Sequence, residues 1–323
     1  MKAFLQLVRR LASRQLGSAL PCGFLLGLAI APTPALRAAD VAQTYASPEA
    51  AVTALASAVK AHDGDALRTI FGPAIADLQN PDRVQATNEF NAFAAALETK
   101  HQLVHESATK CVVELGPNAW PFPVPLVQQD GRWHFDTAAG TEELLNRRIG
   151  RNELAVLEAT RAYVDAQREY ANRERDGDDV LEYAQRLTSS PGTKDGLYWP
   201  PELDGEISPL GPLVAKAQVE GYAVQATADP TEREPFHGYY FKILTRQGKH
   251  APGGKYDYVV NGNMLGGFAL VAWPADYGQS GIMTFMVNQQ GRVYQKDLGP
   301  KAAKNAGTLK AYDPDRTWAV SPD

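Results

Sequence analysis

The sequence predicts an α+β protein made of two folded parts behind an N-terminal export segment. Three observations carry that expectation. Helical periodicities precede strand alternations, that order occurs twice along the chain, and the strands are separated by hairpin-type turns rather than by crossover helices. With 323 residues the chain has length for about two domains. Its 44% apolar and 21% charged residues supply ordinary core material. The expected segments are 1–39 as a signal, 40–145 as the first domain and 146–323 as the second.

Lys2, Arg9, Arg10 and Arg14 make a basic start, the run LGSALPCGFLLGLAIA is apolar but broken by Gly and Pro, and small residues follow. This is the pattern of a Sec-type secretory signal, with cleavage expected between Ala35 and Ala39. It points to a periplasmic or secreted protein with no stable membrane anchor after cleavage. Cys22 leaves with the signal, so Cys111 stands alone and no internal disulfide can form. A net charge of −5 with scattered basic residues excludes nucleic acid as an expected partner.

In the first domain, Ser47-Pro48-Glu49 opens a helix carrying Val52, Leu55 and Val59 on one face. Asp65 is placed to cap a second, short helix that Gly72-Pro73 ends. Val84, Phe90, Phe93 and Leu97 mark a third, which should give way near His101. Cys111, Val113 and Leu115 then alternate as a strand, and PFPVPLVQQDGRWHFD reads as two strands joined at Asp130-Gly131. Pro121, Pro123 and Pro125 cannot donate ladder hydrogen bonds, which predicts an edge position for the first of those strands. Trp120, Phe122, Trp133 and Phe135 suit either the mouth of a cone or its filled core. This order resembles the cone-shaped folds related to nuclear transport factor 2, and implies helices against a curved antiparallel sheet.

TEELLNRRIGRNELAV is the expected join, with Gly150 as a weak point between two helices. The helix from Asn152 sets Val156, Leu157, Tyr163, Val164 and Tyr170 against Glu158, Arg161, Asp165 and Arg168. GYYFKILT, YDYVVNG, GGFALVAWP, GIMTFMVN and GRVYQKDL follow as strands, with Asn261-Gly262 and Gln290-Gly291 as turns. A long helix packed on an antiparallel meander is the expected second domain.

Gly238, Tyr239, Phe241, Ala272, Pro274, Gly278, Phe285, Gly291 and Val293 stand where type IV pilin-like and pseudopilin heads carry their aromatic strand, Ala-x-Pro piece and Gly-rich turn. The last half of the chain resembles those heads. A folded domain replaces their N-terminal hydrophobic half-spine, so polymerisation by that route is not implied. Over nearly the whole mature length, the phrases WPFPVPLV, FDTAAG, NRRIGRNE, YVDAQREYA, GLYWP and YDYVVNG resemble an exported bacterial family classed as a domain of unknown function (2950). That resemblance implies export and brings no activity, substrate or catalytic residue.

Four sets of residues are candidates for chemistry. Glu174, Asp176, Asp178 and Glu182, with Gly177 to bend the chain and the Val180 carbonyl, have the alternating oxygen spacing of a calcium loop. The pilin-head resemblance also implies calcium, whereas a solvated bend after the helix is the bland alternative. His101, His105 and Cys111 would suit zinc only if a helix persisted there. GQSGI lacks the last Gly of a nucleophile elbow at Ile282, and there is no phosphate-binding or dinucleotide fingerprint, so no catalytic residue is assigned. Tyr198, Trp199, Tyr239, Tyr240, Trp273 and Tyr277 could line a groove for a glycan or peptide, or serve as packing. The expected role is non-enzymatic binding or envelope assembly, with an envelope protein or small ligand as partner. The alternative is a small-molecule hydrolase or isomerase with its pocket in the first domain.

Overall fold

The computed structural model describes residues 42–175, 177, 179–203, 205–223, 234–301 and 306–322, and short helices come first among them. Ser47 Oγ accepts the Ala50 N–H at 3.3 Å and starts α1 (Pro48–Lys60), whose buried face is Val52, Leu55 and Val59. Helix α2 (Gly64–Phe71) is capped by Asp63, not by Asp65 as its sequence suggests. Asp63 Oδ1 takes the N–H groups of Asp65 and Ala66, while Asp65 lies in the first turn against Arg68. After the single turn α3 (Ile75–Leu78), Asp82 caps α4 (Arg83–Thr99), which stops before His101 as expected.

Strands β1 (His101–Ser107), β2 (Lys110–Leu115), β3 (Trp120–Pro121), β4 (Leu126–Gln129) and β5 (Arg132–Phe135) form an antiparallel sheet in the order β1-β2-β4-β5, with β3 also on β2. Asp130 (φ 51°) and Gly131 (φ 76°) make the predicted hairpin. The edge assignment needs correction, because β4 lies between β2 and β5. The prolines all precede Leu126, so none of them is asked for a donor within β4. Cys111, Val113 and Leu115 point into the core, where the rings of Phe71, Phe122 and Phe135 meet at centroid distances of 5.2–6.3 Å. Trp133 and Phe135 are buried in that interior and Phe122 is packed against it. Trp120 is 42% exposed beneath the Arg147 guanidinium.

The largest departure from expectation is α5 (Thr137–Tyr170), one helix of 34 residues running unbroken through Gly150. Its first turns belong to the first core, where Thr137 Oγ1 donates to the Phe71 carbonyl at 2.7 Å. Gly140 lies so close to Val124 that an added Cβ would come within 2.5 Å of its Cγ2. Its last turns bury Val156, Tyr163, Val164 and Tyr170 in the second core. The boundary expected at residue 145 therefore falls inside a single helix. A mid-helix glycine costs about 1 kcal/mol relative to alanine, and burial on both sides of it outweighs that.

Beyond α5, the sequence reading placed no element between Tyr183 and Gly238, yet α6 (Gly211–Glu220) lies there, with Pro212 in its first turn and Gly221 (φ 104°) closing it. Strand β6 (Tyr239–Leu244) then leads to two small hairpins. These are β7 (Arg246–Gln247) with β8 (Tyr256–Asp257), and β9 (Val259–Val260) with β10 (Asn263–Met264), the latter turning at Asn261-Gly262 as expected. The meander resumes with β11 (Ala269–Pro274), β12 (Met283–Asn288), β13 (Tyr294–Asp297) and β14 (Ala319–Val320). The antiparallel order is β14-β13-β12-β11-β6. All six residues of β11 are buried, the mark of a strand covered on both faces. Among the described residues no helix is long and apolar enough to cross a membrane.

Continuity of α5 has a direct test. Nothing lies within 4 Å of a Cβ placed on Gly150. Gly150→Ala should therefore stabilise the protein by about 0.5–1 kcal/mol, seen as a higher urea midpoint at unchanged slope. A destabilised variant would mean the helix breaks there.

Candidate functional site

A pocket of about 180 Å³ opens between the C-terminal half of α5, α6 and the sheet. Its floor is Ala159 and Tyr163 of α5, with Phe241 of β6 and Leu270 of β11. Helix α6 supplies Leu213, Val214 and Ala217, the three positions that one face of a helix presents at this spacing. Leu187, Thr188 and Tyr198 form one side, where Tyr198 N–H donates to the Leu187 carbonyl at 3.0 Å and Ser189 N–H to the Tyr198 carbonyl at 2.8 Å. Tyr222, Glu234 and Phe236 also line it, with the Tyr222 and Phe236 rings 5.2 Å apart and Glu234 exposed.

The wall made by α6 is tied to α4 and to its cap residue Asp82. Asn88 Nδ2 donates to the Glu220 carbonyl at 2.9 Å, and the Tyr222 hydroxyl donates to Asp82 Oδ2 at 2.7 Å. Beside them runs a chain of side-chain hydrogen bonds across the join. The Gln85 amide donates both to Asn152 Oδ1 at 2.9 Å and to His237 Nδ1 at 3.0 Å. A donor at Nδ1 leaves the ring proton on Nε2, which faces Glu220 Oε2 at 2.9 Å. Asn152 Nδ2 passes the chain on to the Ser280 carbonyl at 2.8 Å. His237 (φ 47°) and Gly238 (φ 70°) turn the backbone here, and a Cβ on Gly238 would lie 2.6 Å from that of Ser280. Only glycine fits this approach.

Two of the hydroxyls at the pocket are committed to the protein itself. Burial pushes the Tyr163 hydroxyl far above its ordinary pKa, and it donates to the Ala269 carbonyl at 3.1 Å. Burial, reinforced by the Asp82 carboxylate, does the same to Tyr222. Neither hydroxyl can serve as a base near neutrality.

Of the six aromatic residues singled out in the sequence, Tyr198 alone lines this pocket. Trp199 is buried with Arg175 and Lys194 at 5.0 and 5.3 Å from its ring. Tyr239 is buried and donates to the Met283 carbonyl. Tyr240 packs on the buried Trp273 at 5.9 Å. Tyr277 donates to Asp297 Oδ1 at 3.0 Å, and burial together with that carboxylate raises its hydroxyl to about 12. These side chains do not share one groove. Leu213, Val214, Ala217, Phe236 and Phe241 were missed in the sequence, although Gly211-Pro212 and Gly221 frame α6 as start and stop signals.

In the acidic stretch, Asp176 and Asp178 lie outside the described residues, so the proposed calcium loop is placed only in part. Glu174 accepts the Gly177 N–H, and Glu182 Oε2 accepts the Met264 N–H at 2.7 Å. Arg173, Arg175 and Lys194 converge on Glu206 at 3.3, 2.9 and 2.5 Å. Among the described residues no three His, Cys, Asp or Glu side chains gather as a metal site would require. His101 and His105 lie on a strand, where four residues span roughly 13 Å, too far apart for one metal ion. His105 Nδ1 instead contacts Cys111 Sγ at 3.0 Å, and burial, aided by Glu49, pushes that thiol up. Ser280 of GQSGI is buried and bonded within its own turn to Asp276.

One buried carboxylate does report on the join. Glu153 Oε1 accepts the N–H groups of Ile282 and Met283, each at 3.0 Å, yet burial dominates and raises its pKa. The folded state thus holds this proton more tightly than the unfolded chain. The associated stability is complete below the ordinary carboxylate range and is lost as pH rises through the raised value. The stability of the wild type relative to Glu153→Gln should fall as pH rises above the ordinary carboxylate range in urea melts at fixed ionic strength. A constant difference would show the carboxylate to be unperturbed.

Comparison with known proteins gives one family. The model described as "Protein of unknown function (DUF2950)" matches residues 42–320. No curated protein and no solved structure matches the chain.

Proposed function

We infer that this chain, which belongs to the DUF2950 family of proteins of unknown function, is a binding protein that takes one ring-sized apolar group into the pocket between α5, α6 and the sheet. The observation that carries this reading is the combination of volume and wall chemistry. An apolar cavity of about 150 Å³ is enough to hold benzene, and this one measures about 180 Å³ with Leu, Val, Ala and aromatic walls. A few polar groups in a mostly apolar pocket is the usual make-up of a small-molecule site. The setting we propose is the cell envelope or exterior, on the strength of the basic-then-apolar sequence of residues 1–39, with the ligand reached in the periplasm or after secretion.

Catalysis in the first domain has weaker support. Phe71, Phe122 and Phe135 pack together in the space between its helices and sheet, where a substrate pocket would have to lie. In the second domain the hydroxyls of Tyr163 and Tyr222 are held protonated and already donate to protein acceptors.

Ala217 is half-buried on the pocket face of α6, so Ala217→Trp should fill the cavity while keeping the helix. Benzyl alcohol at one hundred times its dissociation constant should stabilise the wild type by about 2.7 kcal/mol. That gain should vanish in the variant. An equal midpoint shift in both proteins would place binding elsewhere, and no shift in either would remove the reading.

A further inference from the structure

We propose that the pocket selects a small organic cation, an ammonium group borne on an aromatic ring or a short alkyl frame; this rests on the binding reading above and specifies its ligand. Two independent features of the lining point the same way. The first is its ring content: Tyr163, Tyr198, Tyr222, Phe236 and Phe241 all border a space of about 180 Å³. The faces of such rings carry negative potential and attract cations, Tyr and Phe included, and cages of this kind are how proteins hold quaternary ammonium groups.

The second is charge. Among the described residues that line the pocket, Glu234 is the one acidic side chain, and no Lys, Arg or His is among them. Among the described residues, two cations on the elements around the pocket face carboxylates. Lys216 of α6 lies 3.3 Å from Glu158 of α5, and His237 lies 2.9 Å from Glu220. A carboxylate ligand such as a fatty acid would therefore bring its charge against ring faces and Glu234. The hydroxyls of Tyr163 and Tyr222 could not help it, since their protons are donated to Ala269 and Asp82. A cation meets the opposite situation. Its apolar frame fills the floor by Ala159 and Leu270, and its charge is directed to the side where Glu234 stands.

The size of the preference follows from exposure. Glu234 is exposed, so its attraction is screened by water and contributes a modest factor. The rings add a second modest factor. Together they should favour a cation over its neutral isostere by roughly five- to tenfold.

Three probes of nearly equal shape test this on the full chain by titration calorimetry at low salt: benzylammonium, benzyl alcohol and benzoate. Benzylammonium should bind tightest and benzoate weakest. Glu234→Gln should narrow the gap between benzylammonium and benzyl alcohol without closing it, because the rings remain. Equal binding of benzylammonium and benzyl alcohol, or tighter binding of benzoate, overturns the cation proposal. If those probes still compete and are lost together in Ala217→Trp, the pocket reading survives that failure. If none of the three binds, both readings fall.

Discussion

Burial of one helix in two separate cores is the constraint from which the rest of the molecule follows. At 1.5 Å per residue α5 is about 50 Å long, longer than either core. Its first turns lie against the first core, through Thr137 on the Phe71 carbonyl and Gly140 beside Val124, and its last turns lie against β11, where the Tyr163 hydroxyl bonds to the Ala269 carbonyl. The magnitudes decide against a break at Gly150. A helix-interior glycine costs about 1 kcal/mol, whereas each large side chain buried beyond it, such as Val156 or Tyr170, contributes roughly 1.5–3 kcal/mol. A helix that must satisfy both ends stays continuous through a weak position in its middle.

That shared helix also fixes where polar groups can be buried. Asn152 and Glu153, buried on α5 just past Gly150, are the residues that reach across to the Ser280–Met283 turn and to Gln85 of α4. A buried polar group left without its partner costs about 1–3 kcal/mol. The linked bonds through Gln85, Asn152, His237 and Glu220 therefore resist separation more than an apolar contact of equal area, and they demand one register. Tyr222 on Asp82 extends the same seam to the end of α6. The α6 wall of the pocket is thereby tied to α4, although no described residue of α4 lines the pocket.

Much of this architecture was legible in the sequence, because periodicity and turn chemistry are local. The Asp130-Gly131 and Asn261-Gly262 hairpins, the alternation at Cys111–Leu115, the end of α4 before His101 and the strand meander all rest on signals within a few residues. What failed was not local. Gly150 is a weak helix residue whose fate is set by packing on both sides of it. The position of β4 depends on which strand lies beside it, and three prolines upstream do not encode that. Asp63 won the cap over Asp65 by two residues, a difference of turn geometry that composition does not distinguish.

The candidate site was the least legible part, and the reason is physical. Trp199, Tyr239 and Trp273 drew attention as large aromatic residues, yet large side chains are the ones a core consumes first, and all three are nearly inaccessible. The pocket depends instead on where side chains are small. Ala159 and Ala217 face each other's neighbourhood across α5 and α6, and space is left because neither is a leucine. A volume left unfilled is a difference between neighbours that are distant in sequence, so no single motif records it. What the sequence does carry is the chemistry of the rim, in Tyr198, Phe236 and Glu234, once the fold has said which residues share it.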